Sequence, residues 1–470
     1  MSQSQIGLIG LGTMGAMLSL NIAEKGFAIS VFNRTSAKVD EFMSEAGDLA
    51  ARITPTKTLE DLVASIAEPR AIILMVPAGD PVDEQIAALR PHLGKDDLII
   101  DAGNANFHDT NRRAAEAVAA GLPYLGIGVS GGEEGARHGP SIMGGGERAH
   151  WDRVAHILAA IAAKYEDEPC ATWMGPGGAG HFVKTVHNGI EYADMQLIAE
   201  AYGVMRDGLK MAAVDCGSVF EHWNGGTLQS YLTEISGIVA QAQDPQTGAP
   251  VLDIILDRAG QKGTGRWTVI ESQQVGAPVP VIEAAVAARN MSAALEARRA
   301  GEDLFGAAPQ ALTAGALSMD ELESALIAGK IMCYAQGFAL LDRAAETYGW
   351  TLPMPAIARV WREGCIIRST MLNDMATTLA DDPTRNLMFA PFFADLMRQH
   401  HGALRKVVGV AVAHGLPVPA MSAALSYFDT MRTARSTANM IQAQRDFFGA
   451  HSFERTDSPG AHHGPWGSNS

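Results

Sequence analysis

A glycine turn between an apolar run and a helical stretch constrains this chain more than any other feature. Residues 6–9 (IGLI) are short and apolar, as a buried strand is, and the GxGxxG turn 10–15 follows at once. A helical stretch (16–25) and a second apolar run (28–32) come next. In this strand–turn–helix–strand arrangement the first glycine permits a tight turn, the second lets the backbone approach a pyrophosphate, and the third allows close helix–strand packing. The arrangement predicts a dinucleotide-binding site; the alternative is a structural turn without a ligand.

The end of the second strand bears on which dinucleotide binds. NAD enzymes usually place Asp or Glu there, where the carboxylate accepts a hydrogen bond from the ribose hydroxyl. This chain has Asn33, Arg34 and Thr35 instead. A guanidinium binds a phosphate bidentately, and Asn and Thr can add hydrogen bonds. We therefore expect Arg34 to contact a 2′-phosphate, which favours NADP; the alternative for Arg34 is a solvated loop charge.

Composition excludes several classes of protein. The chain has 36 Lys and Arg against 52 Asp and Glu, a formal net charge of −16, which argues against nucleic-acid binding. An anionic substrate would need a local basic pocket that works against this overall field. The four cysteines are scattered, with no CxxC pair, which predicts free thiols in a reducing, cytoplasmic compartment. The polar start predicts no signal peptide, and the lack of an apolar run near about 18 residues predicts no membrane span.

The pattern along the chain changes near residue 180. Up to that point short apolar runs, such as 71–76 and 124–129, alternate with helical segments, which indicates a mostly parallel sheet wrapped by helices. The glycine-rich segment 175–180 is a predicted hinge, and long amphipathic segments follow it. We predict a Rossmann-type α/β domain, a large all-α domain and a C-terminal tail. The predicted bounds are 1–179, 180–436 and 437–470.

Two further features concern the later part of the chain. Residues 184–203 and 330–349 resemble each other, which hints at an internal duplication. Residues 452–470 are rich in Gly, Pro, Ser and His and cannot build a core alone. They are predicted to be either a disordered tail or an arm that docks elsewhere.

Five polar residues share one face of the helix predicted after the hinge. Lys184, His187, Asn188, Glu191 and Tyr192 fall within an arc of roughly 140° at helical spacing. The alternative is a solvated face with a Lys-to-Glu pair. In a cleft, however, a desolvated lysine can serve as a base and a glutamate with a raised pKa can serve as an acid. We treat Lys184 and Glu191 as a catalytic hypothesis.

Three further segments lie where a ligand could reach them. The block 129–146 follows a predicted strand, so that Ser130, Gly131 and Gly132 offer a hydroxyl and backbone amides. Asn104 also follows a strand, at the carboxyl edge where ligands of open α/β sheets bind. Lys262 and Thr264 stand between glycines and could form a phosphate nest, although so short a motif often occurs without one.

Four long blocks resemble the signatures of one family. They are GVSGGEEGARHGPS (128–141), GAGHFVKTVHNGIEYADMQLIAEAY (178–202), AGQKGTGRWT (259–268) and IQAQRDFFGAHSFER (441–455). In this order they resemble the decarboxylating 6-phosphogluconate dehydrogenases of the β-hydroxyacid dehydrogenase superfamily, and the likeness covers nearly the whole chain. The resemblance implies oxidative decarboxylation of 6-phosphogluconate to ribulose 5-phosphate and CO2 with reduction of NADP, a step of the pentose phosphate pathway.

The resemblance also implies roles for individual residues. Lys184 would be the general base and acid, and Glu191 the acid that protonates the product carbon. The residues implied to hold the sugar acid are Asn104, Ser130, Gly131, Gly132, His187 and Asn188. Those implied to bind its phosphate are Tyr192, Lys262, Thr264, Arg289 and Arg445. Those expected to bind the cofactor are Gly10, Gly12, Thr13, Met14, Gly15, Asn33, Arg34, Thr35, Val76 and Asn104.

The last segment of the chain has a special place in the family. Arg445 and His451 belong to a segment that, by the resemblance, enters the active site of the other subunit. The chain would then form a homodimer with shared active sites, and residues 437–470 would be the arm. No metal is implied, and we find no His, Asp and Glu set at ligand spacing.

The chain departs from the family pattern at three positions. Pro77 stands where a lysine is frequent, Ala102 where a second glycine is usual, and Gly12 where alanine is common. Two rival functions remain at this point: a β-hydroxyacid dehydrogenase for an unphosphorylated acid, and a catalytically silent dinucleotide-binding scaffold. The phosphate-binding cations argue against the first, and the presence of both Lys184 and Glu191 argues against the second.

Overall fold

The apolar runs of the first 175 residues form one eight-stranded sheet in the computed structural model, which describes residues 3–261 and 263–466. In chain order the strands are β1 (Ile6–Ile9), β2 (Ile29–Phe32), β3 (Ile53–Pro55), β4 (Ala71–Leu74), β5 (Leu98–Asp101), β6 (Tyr124–Ser130), β7 (Ser141–Gly146), β8 (Lys164–Tyr165), β9 (Glu168–Pro169), β10 (Ala171–Gly175), β11 (Phe453–Glu454) and β12 (Ala461–His462). Strands β8 with β9 and β11 with β12 form two separate two-stranded sheets, and the other eight form the large sheet.

Helices make up most of the remaining structure. They are α1 (Thr13–Glu24), α2 (Ser36–Glu45), α3 (Leu59–Ala64), α4 (Asp80–Leu89), α5 (Phe107–Ala120), α6 (Gly132–His138), α7 (Arg148–Ile161), α8 (Ala179–Gly203), α9 (Ala213–Trp223), α10 (Tyr231–Gln241), α11 (Val251–Ile254), α12 (Thr264–Val275), α13 (Pro280–Ala293), α14 (Leu295–Phe305), α15 (Met319–Tyr348), α16 (Met354–Val360), α17 (Met371–Asp381), α18 (Pro391–Ala413), α19 (Pro419–Met431) and α20 (Ala438–Gly449).

The sheet has the order β10-β7-β6-β5-β4-β1-β2-β3. Its pairs are parallel except for β6 with β7, which run antiparallel. The strand order reverses between β1 and β4: β2 and β3 follow on one side of β1, and β4 and β5 lie on the other. Ligands of such sheets bind beyond the carboxyl ends of the strands at this switch point. The block 129–146, which was expected to follow a strand, begins at the end of β6 and contains α6 and β7.

Both faces of the sheet are covered, which explains why its strands are continuously apolar. Alternate residues of β4 point to opposite faces: Ile73 belongs to the apolar cluster that includes Leu18 of α1 and Trp151 of α7, whereas Ile72 and Leu74 belong to a second apolar cluster. That second cluster includes residues of α3 and α4. These two layers of helices hold the strand ends, and so the loops beyond them, in fixed positions.

Helix α8 leads from the sheet into the helical part of the chain. It starts directly after the glycine segment that follows β10, and most of its side chains are buried. Val186 and Ile190 lie against Gly337 of α15, so the apolar residues of α8 face a neighbouring helix. Within α15, Lys330 forms a fully buried ion pair with Asp194 of α8 at 3.0 Å and donates to Ser230 Oγ at 3.1 Å.

The expectation that no segment is apolar enough to span a membrane needs correction for one helix. Among the described residues α15 alone meets the requirements of length and apolar composition, and 89% of its apolar window is buried inside the protein. The core helix of a folded protein has the same composition, because it is surrounded by apolar side chains.

The chain divides into two compact units, Met1–Ala424 and Leu425–Ser470. The first unit contains the sheet together with most of the helices. The three domain ranges expected from the sequence, 1–179, 180–436 and 437–470, stay predictions. In the second unit the tail is folded back on its own helix. The Asp446 carboxylate of α20 accepts hydrogen bonds from the backbone N–H groups of Ser452 and Gly464 and from Trp466 Nε1, and lies 2.6 Å from His463 Nδ1. Strands β11 and β12 pair antiparallel between these contacts.

Candidate active site

The glycine turn after β1 has the geometry of a phosphate-binding turn. A Cβ atom on Gly15 would stand 1.9 Å from the carbonyl oxygen of Gly10, so only glycine allows α1 to start so close to the strand. Gly12 is exposed, and no described atom lies within 4 Å of where its Cβ would be. The backbone at Gly12 and the start of α1 can therefore be approached closely by a pyrophosphate.

A cleft of about 360 Å³ opens beside this turn. Some of the residues that line this cleft were predicted from the sequence to bind the cofactor, and others were not. The predicted ones are Gly10, Gly12, Asn33, Arg34, Thr35 and Val76. The additional ones are Ile9, Lys38, Met75, Pro77, Pro81, Glu84 and Gln85. Thr13, Met14 and Gly15 begin α1 and are absent from this lining.

The cations of the cleft lie at the end of β2. Arg34 and Lys38 are both exposed, and Lys38 is one helical turn further along the chain in α2. The sequence argument missed Lys38, although its spacing of four residues from Arg34 was a usable signal. Asn33 connects the two loops of the cleft by hydrogen bonds. Its Oδ1 accepts from the N–H of Leu11 at 3.0 Å, and its Nδ2 donates to the carbonyl of Thr35 at 3.1 Å.

Asn104 lies on the turn that follows β5, and it is exposed. Asp101, the last residue of β5, stabilises this turn. Its carboxylate accepts hydrogen bonds from the N–H of Gly103 at 3.1 Å and from the Tyr124 hydroxyl at 3.1 Å. Since β5 and β6 are neighbours and run parallel, Asn104, just after β5, and Ser130, the last residue of β6, lie at the carboxyl ends of adjacent strands. The predicted substrate contacts Asn104, Ser130, Gly131 and Gly132 thus share one edge of the sheet.

Lys184 is buried where α8 crosses the end of β6. Its Nζ donates to Ser130 Oγ at 2.8 Å and lies 3.2 Å from His187 Nδ1. A Cβ on Gly128 would stand 2.4 Å from Cβ of Lys184, so a glycine in β6 makes room for the lysine. The lysine is therefore placed by close helix–strand packing, not by a flexible loop.

His187 joins the other polar groups of this face. Its Nε2 lies 3.2 Å from Ser130 Oγ, and its Nδ1 lies 3.3 Å from Asn188 Oδ1 and 3.8 Å from Glu191 Oε2. Burial, and the nearby Lys184, hold the pKa of His187 well below its ordinary value. The imidazole is therefore neutral and can accept a hydrogen bond at one nitrogen while it donates at the other.

Burial also shifts the pKa values of the two proposed catalytic groups. Desolvation lowers the pKa of Lys184, and the charge of Glu191 opposes this shift. Desolvation raises the pKa of Glu191, opposed by Lys184 and Arg289. A lysine that loses its proton more easily and a carboxyl that keeps its proton longer form a base and an acid on one helix face.

The predicted phosphate-binding residues lie next to this face. The Arg289 guanidinium is 3.6 Å from the centre of the Tyr192 ring, and the ring packs against Gly265 of α12. Thr264 is the first residue of α12, where the helix presents free N–H groups. Lys262 lies outside the described residues. The structure thus brings together Tyr192, Thr264 and Arg289 of the predicted set.

Arg445 and His451 belong to the second unit. Both are exposed; Arg445 donates to Gln442 Oε1 at 3.0 Å, and the His451 ring meets Phe448 edge-on at 6.0 Å between ring centres. Over residues 3–261 and 263–466, no three His, Cys, Asp or Glu side chains are grouped to hold a metal ion.

Two families match the chain in succession. Residues 5–175 match the family described as the NAD binding domain of 6-phosphogluconate dehydrogenase, and residues 180–466 match the one described as 6-phosphogluconate dehydrogenase, C-terminal domain. The chain is 47% identical over 469 residues to the NADP(+)-dependent decarboxylating 6-phosphogluconate dehydrogenase of Bacillus subtilis (strain 168), covering 99% of this chain and 100% of that protein. It is 46% identical over 468 residues to the NAD(+)-dependent enzyme of the same organism, covering 98% and 99%.

A solved structure is similar over the same length. It is the Plasmodium falciparum 6-phosphogluconate dehydrogenase, described in its apo form, with its cofactor NADP+ and with its substrate 6-phosphogluconate. The TM-score is 0.95 at 41% sequence identity, over 98% of this chain and 100% of that one.

Proposed function

The chain belongs to the 6-phosphogluconate dehydrogenase family, and on that premise we propose that Lys184 and Glu191 perform the acid–base steps as this enzyme oxidises and decarboxylates 6-phosphogluconate to ribulose 5-phosphate and CO2. The observation that carries the proposal is the buried contact of Lys184 Nζ with Ser130 Oγ and His187 Nδ1 at the carboxyl edge of the sheet. The cofactor cleft opens at the same edge.

The cleft suits NADP. The exposed backbone at Gly12 would accommodate the pyrophosphate, and Arg34 with Lys38 would bind the 2′-phosphate. Overall identity does not select the cofactor, because one relative is named NADP-dependent and the other NAD-dependent at nearly equal identity. The two cations at the end of β2 therefore carry the choice of NADP. When bound, the nicotinamide supplies the acceptor for the hydride that leaves C3 of the substrate.

Lys184 acts on the oxygen at C3. In its neutral form it takes the proton of the C3 hydroxyl as C3 is oxidised to a ketone. The resulting ammonium then hydrogen-bonds the ketone oxygen, which accepts the electron pair of the C1–C2 bond as C1 leaves as CO2. Ser130 and His187 hold Nζ in place during both steps.

Glu191 completes the reaction. As CO2 leaves, the Lys184 ammonium gives its proton to the C3 oxygen, which produces an enediol. The protonated carboxyl of Glu191 then delivers a proton to the carbon that becomes C1 of ribulose 5-phosphate, while Lys184 takes back the proton of the enol oxygen. The raised pKa of Glu191 supports this role, since the group must carry its proton near neutral pH.

The other substrate contacts divide between the two ends of the molecule. Asn104, Ser130, Gly131, Gly132, His187 and Asn188 would hold the sugar acid. Tyr192, Thr264, Arg289, Lys262 and Arg445 would bind the phosphate, with Arg445 and His451 supplied by the arm of the other subunit in a homodimer. Residues 1–179 would then bind the cofactor, 180–436 the substrate and the partner chain, and 437–470 would form the arm.

We also infer that the enzyme works in the cytoplasm. All four cysteines are buried as free thiols, which suits a reducing compartment.

Steady-state kinetics test the proposal. NADPH formation is followed at 340 nm with 6-phosphogluconate, and CO2 and ribulose 5-phosphate are measured in the same reaction; the three products are expected in equal amounts. Gluconate serves as the control substrate, because it lacks only the phosphate. A kcat/KM for gluconate equal to that for 6-phosphogluconate would favour a dehydrogenase for unphosphorylated acids. If neither substrate is turned over, the result would favour a catalytically silent dinucleotide-binding scaffold.

A further inference from the structure

Three side chains from separate helices meet outside the site described above. Glu271 of α12 is buried, and both its carboxylate oxygens are engaged. Oε2 lies 3.0 Å from His108 Nε2 of α5, and Oε1 accepts a hydrogen bond from the hydroxyl of Tyr348 at the end of α15. The ring of Phe107 packs against both His108 and Tyr348, at 4.0 and 5.3 Å between ring centres.

His108 is rigidly connected to the turn that carries Asn104. Asn106 caps α5, and its Oδ1 accepts from the N–H of His108 at 2.9 Å. Two residues before this cap, Asn104 is exposed at the sheet edge. A displacement of His108 therefore moves the end of this turn with it.

Glu271 is connected in the same way to the other end of the substrate site. It lies on α12, which begins at Thr264. The hydroxyl of Thr268 donates to the carbonyl of Thr185 on α8 at 2.7 Å, and Tyr192 packs on Gly265. Helix α12 is thus fixed to the helix of the catalytic residues.

We propose that His108 and Glu271, with Tyr348 as the second donor, form a positioning group that sets the Asn104 turn against the Thr264 end of α12, so that the sugar acid and the phosphate of one substrate are bound together. The inference rests on the substrate contacts proposed for Asn104 and Thr264. None of the three side chains is given a part in the chemistry.

His108 is the more accessible partner of this link. Its side chain is 49% exposed, and Glu271 from α12 and Tyr348 from α15 face it. Burial and the Glu271 carboxylate raise the pKa of Tyr348, so the phenol stays protonated as a donor.

The test compares His108→Ala with the wild type. Alanine removes the contact with the Glu271 carboxylate. We expect the KM for 6-phosphogluconate to rise roughly three- to fivefold, with kcat within about twofold of wild type, because a positioning contact affects binding more than chemistry. His108→Gln, whose amide can still donate to Glu271, should recover part of the loss. The Kd for NADP alone should not change.

Two further variants complete the design. Glu271→Gln should raise the same KM, and it replaces His108→Ala if that protein melts below the assay temperature. Lys406→Gln is the matched control, since it breaks a partly exposed ion pair between α18 and Glu321 in the first turn of α15, at the opposite end of that helix from Tyr348.

The outcomes are separable. An unchanged KM in His108→Ala, a loss confined to kcat, or a change of the same size in Lys406→Gln overturns the positioning role. Thr264→Ala is measured alongside: an unchanged KM there would contradict the proposed phosphate contact itself, whatever His108→Ala shows.

Discussion

Nζ of Lys184 lies 2.8 Å from Oγ of Ser130, and both side chains are almost completely shielded from solvent. One residue comes from a helix and the other from the last position of a strand. The amine is therefore held without a counter-ion in contact with Nζ among the described residues, which explains why burial lowers its pKa. This relationship makes Lys184 available as a base at the edge where the substrate would bind.

Replacing Lys184 with methionine should nearly abolish turnover and leave NADP binding intact, because the lysine lies outside the cofactor cleft. Loss of a general acid–base group typically lowers the rate by about 10²- to 10⁴-fold. Turnover is measured at 340 nm and cofactor affinity by fluorescence titration. Lys164→Met, at an exposed lysine of β8, is the control. Retention of more than about a tenth of wild-type kcat would remove Lys184 from the base role.

Glu191→Gln should change one limb of the pH profile of kcat/KM. The wild type should lose activity in acid as Lys184 becomes protonated and in alkali as Glu191 loses its proton. In the variant the residual activity should lack the alkaline limb. Its acid limb should stay in place, because Glu191 is already protonated and uncharged in the pH range where Lys184 takes up its proton.

The control for this profile is Glu134→Gln, which removes a carboxylate whose side chain is 86% exposed. Solvent screens that charge, so the limbs should not move. An alkaline limb that persists in Glu191→Gln would assign the acid to another group.

Arg34→Ala should raise the KM for NADP far more than the KM for NAD, since only NADP carries the 2′-phosphate. A charge-assisted contact of this kind contributes about 1.5 to 3 kcal/mol, roughly 10- to 150-fold. Lys38→Ala should act in the same direction with a smaller effect, because lysine binds phosphate as a point charge. Lys57→Ala, an exposed lysine paired with Asp40, is the control. Equal effects on both cofactors would mean that Arg34 only positions the loop.

A mixture of Lys184→Met and Arg445→Ala should regain activity when subunits exchange. If the arm completes the partner's site, a hybrid dimer combines Lys184 of one chain with Arg445 of the other in one of its two sites. Random pairing makes about half the dimers hybrid, so activity should approach about a quarter of wild type. Differently tagged chains prove the exchange. If subunits exchange, the hybrids stay inactive and Arg445→Ala is inactive on its own, the arm must contribute to the active site of its own subunit.

Lys330→Met should destabilise the protein by about 3 to 5 kcal/mol, because it leaves the Asp194 carboxylate buried without its cation. The double variant Lys330→Met, Asp194→Leu should recover most of that loss, since neither charge then remains buried. Chemical denaturation of the three proteins measures the difference. A double variant no more stable than the single one would mean that the pair also makes contacts that a hydrophobic pair cannot replace.

The parts of the site that short sequence patterns encode were predictable. The glycine turn, the position of Arg34 after the second strand, and the shared face of Lys184 and Glu191 each depend on spacings within one or two elements. The Rossmann-type sheet and the helical region after it followed from the same local patterns and are confirmed.

Contacts between distant segments were not predictable in the same way. Strand β7 contains three consecutive glycines, which have low strand propensity, and it forms because β6 pairs with it. The contacts of Glu271 with His108 and Tyr348 join residues 163 and 77 positions apart. The Lys330–Asp194 pair likewise joins two helices. No periodicity along the chain reports such pairs, because tertiary packing alone brings them together.

The hydrogen bonds that converge on Asp446 have a consequence for assembly. Because α20, the pair of β11 and β12, and Trp466 are tied to one carboxylate, this segment has its shape before it meets another chain. A preformed segment loses less conformational entropy on association than a disordered one. In the proposed dimer the two arms would therefore dock as rigid pieces, and the rate of association would be set by their encounter and orientation instead of by a folding step.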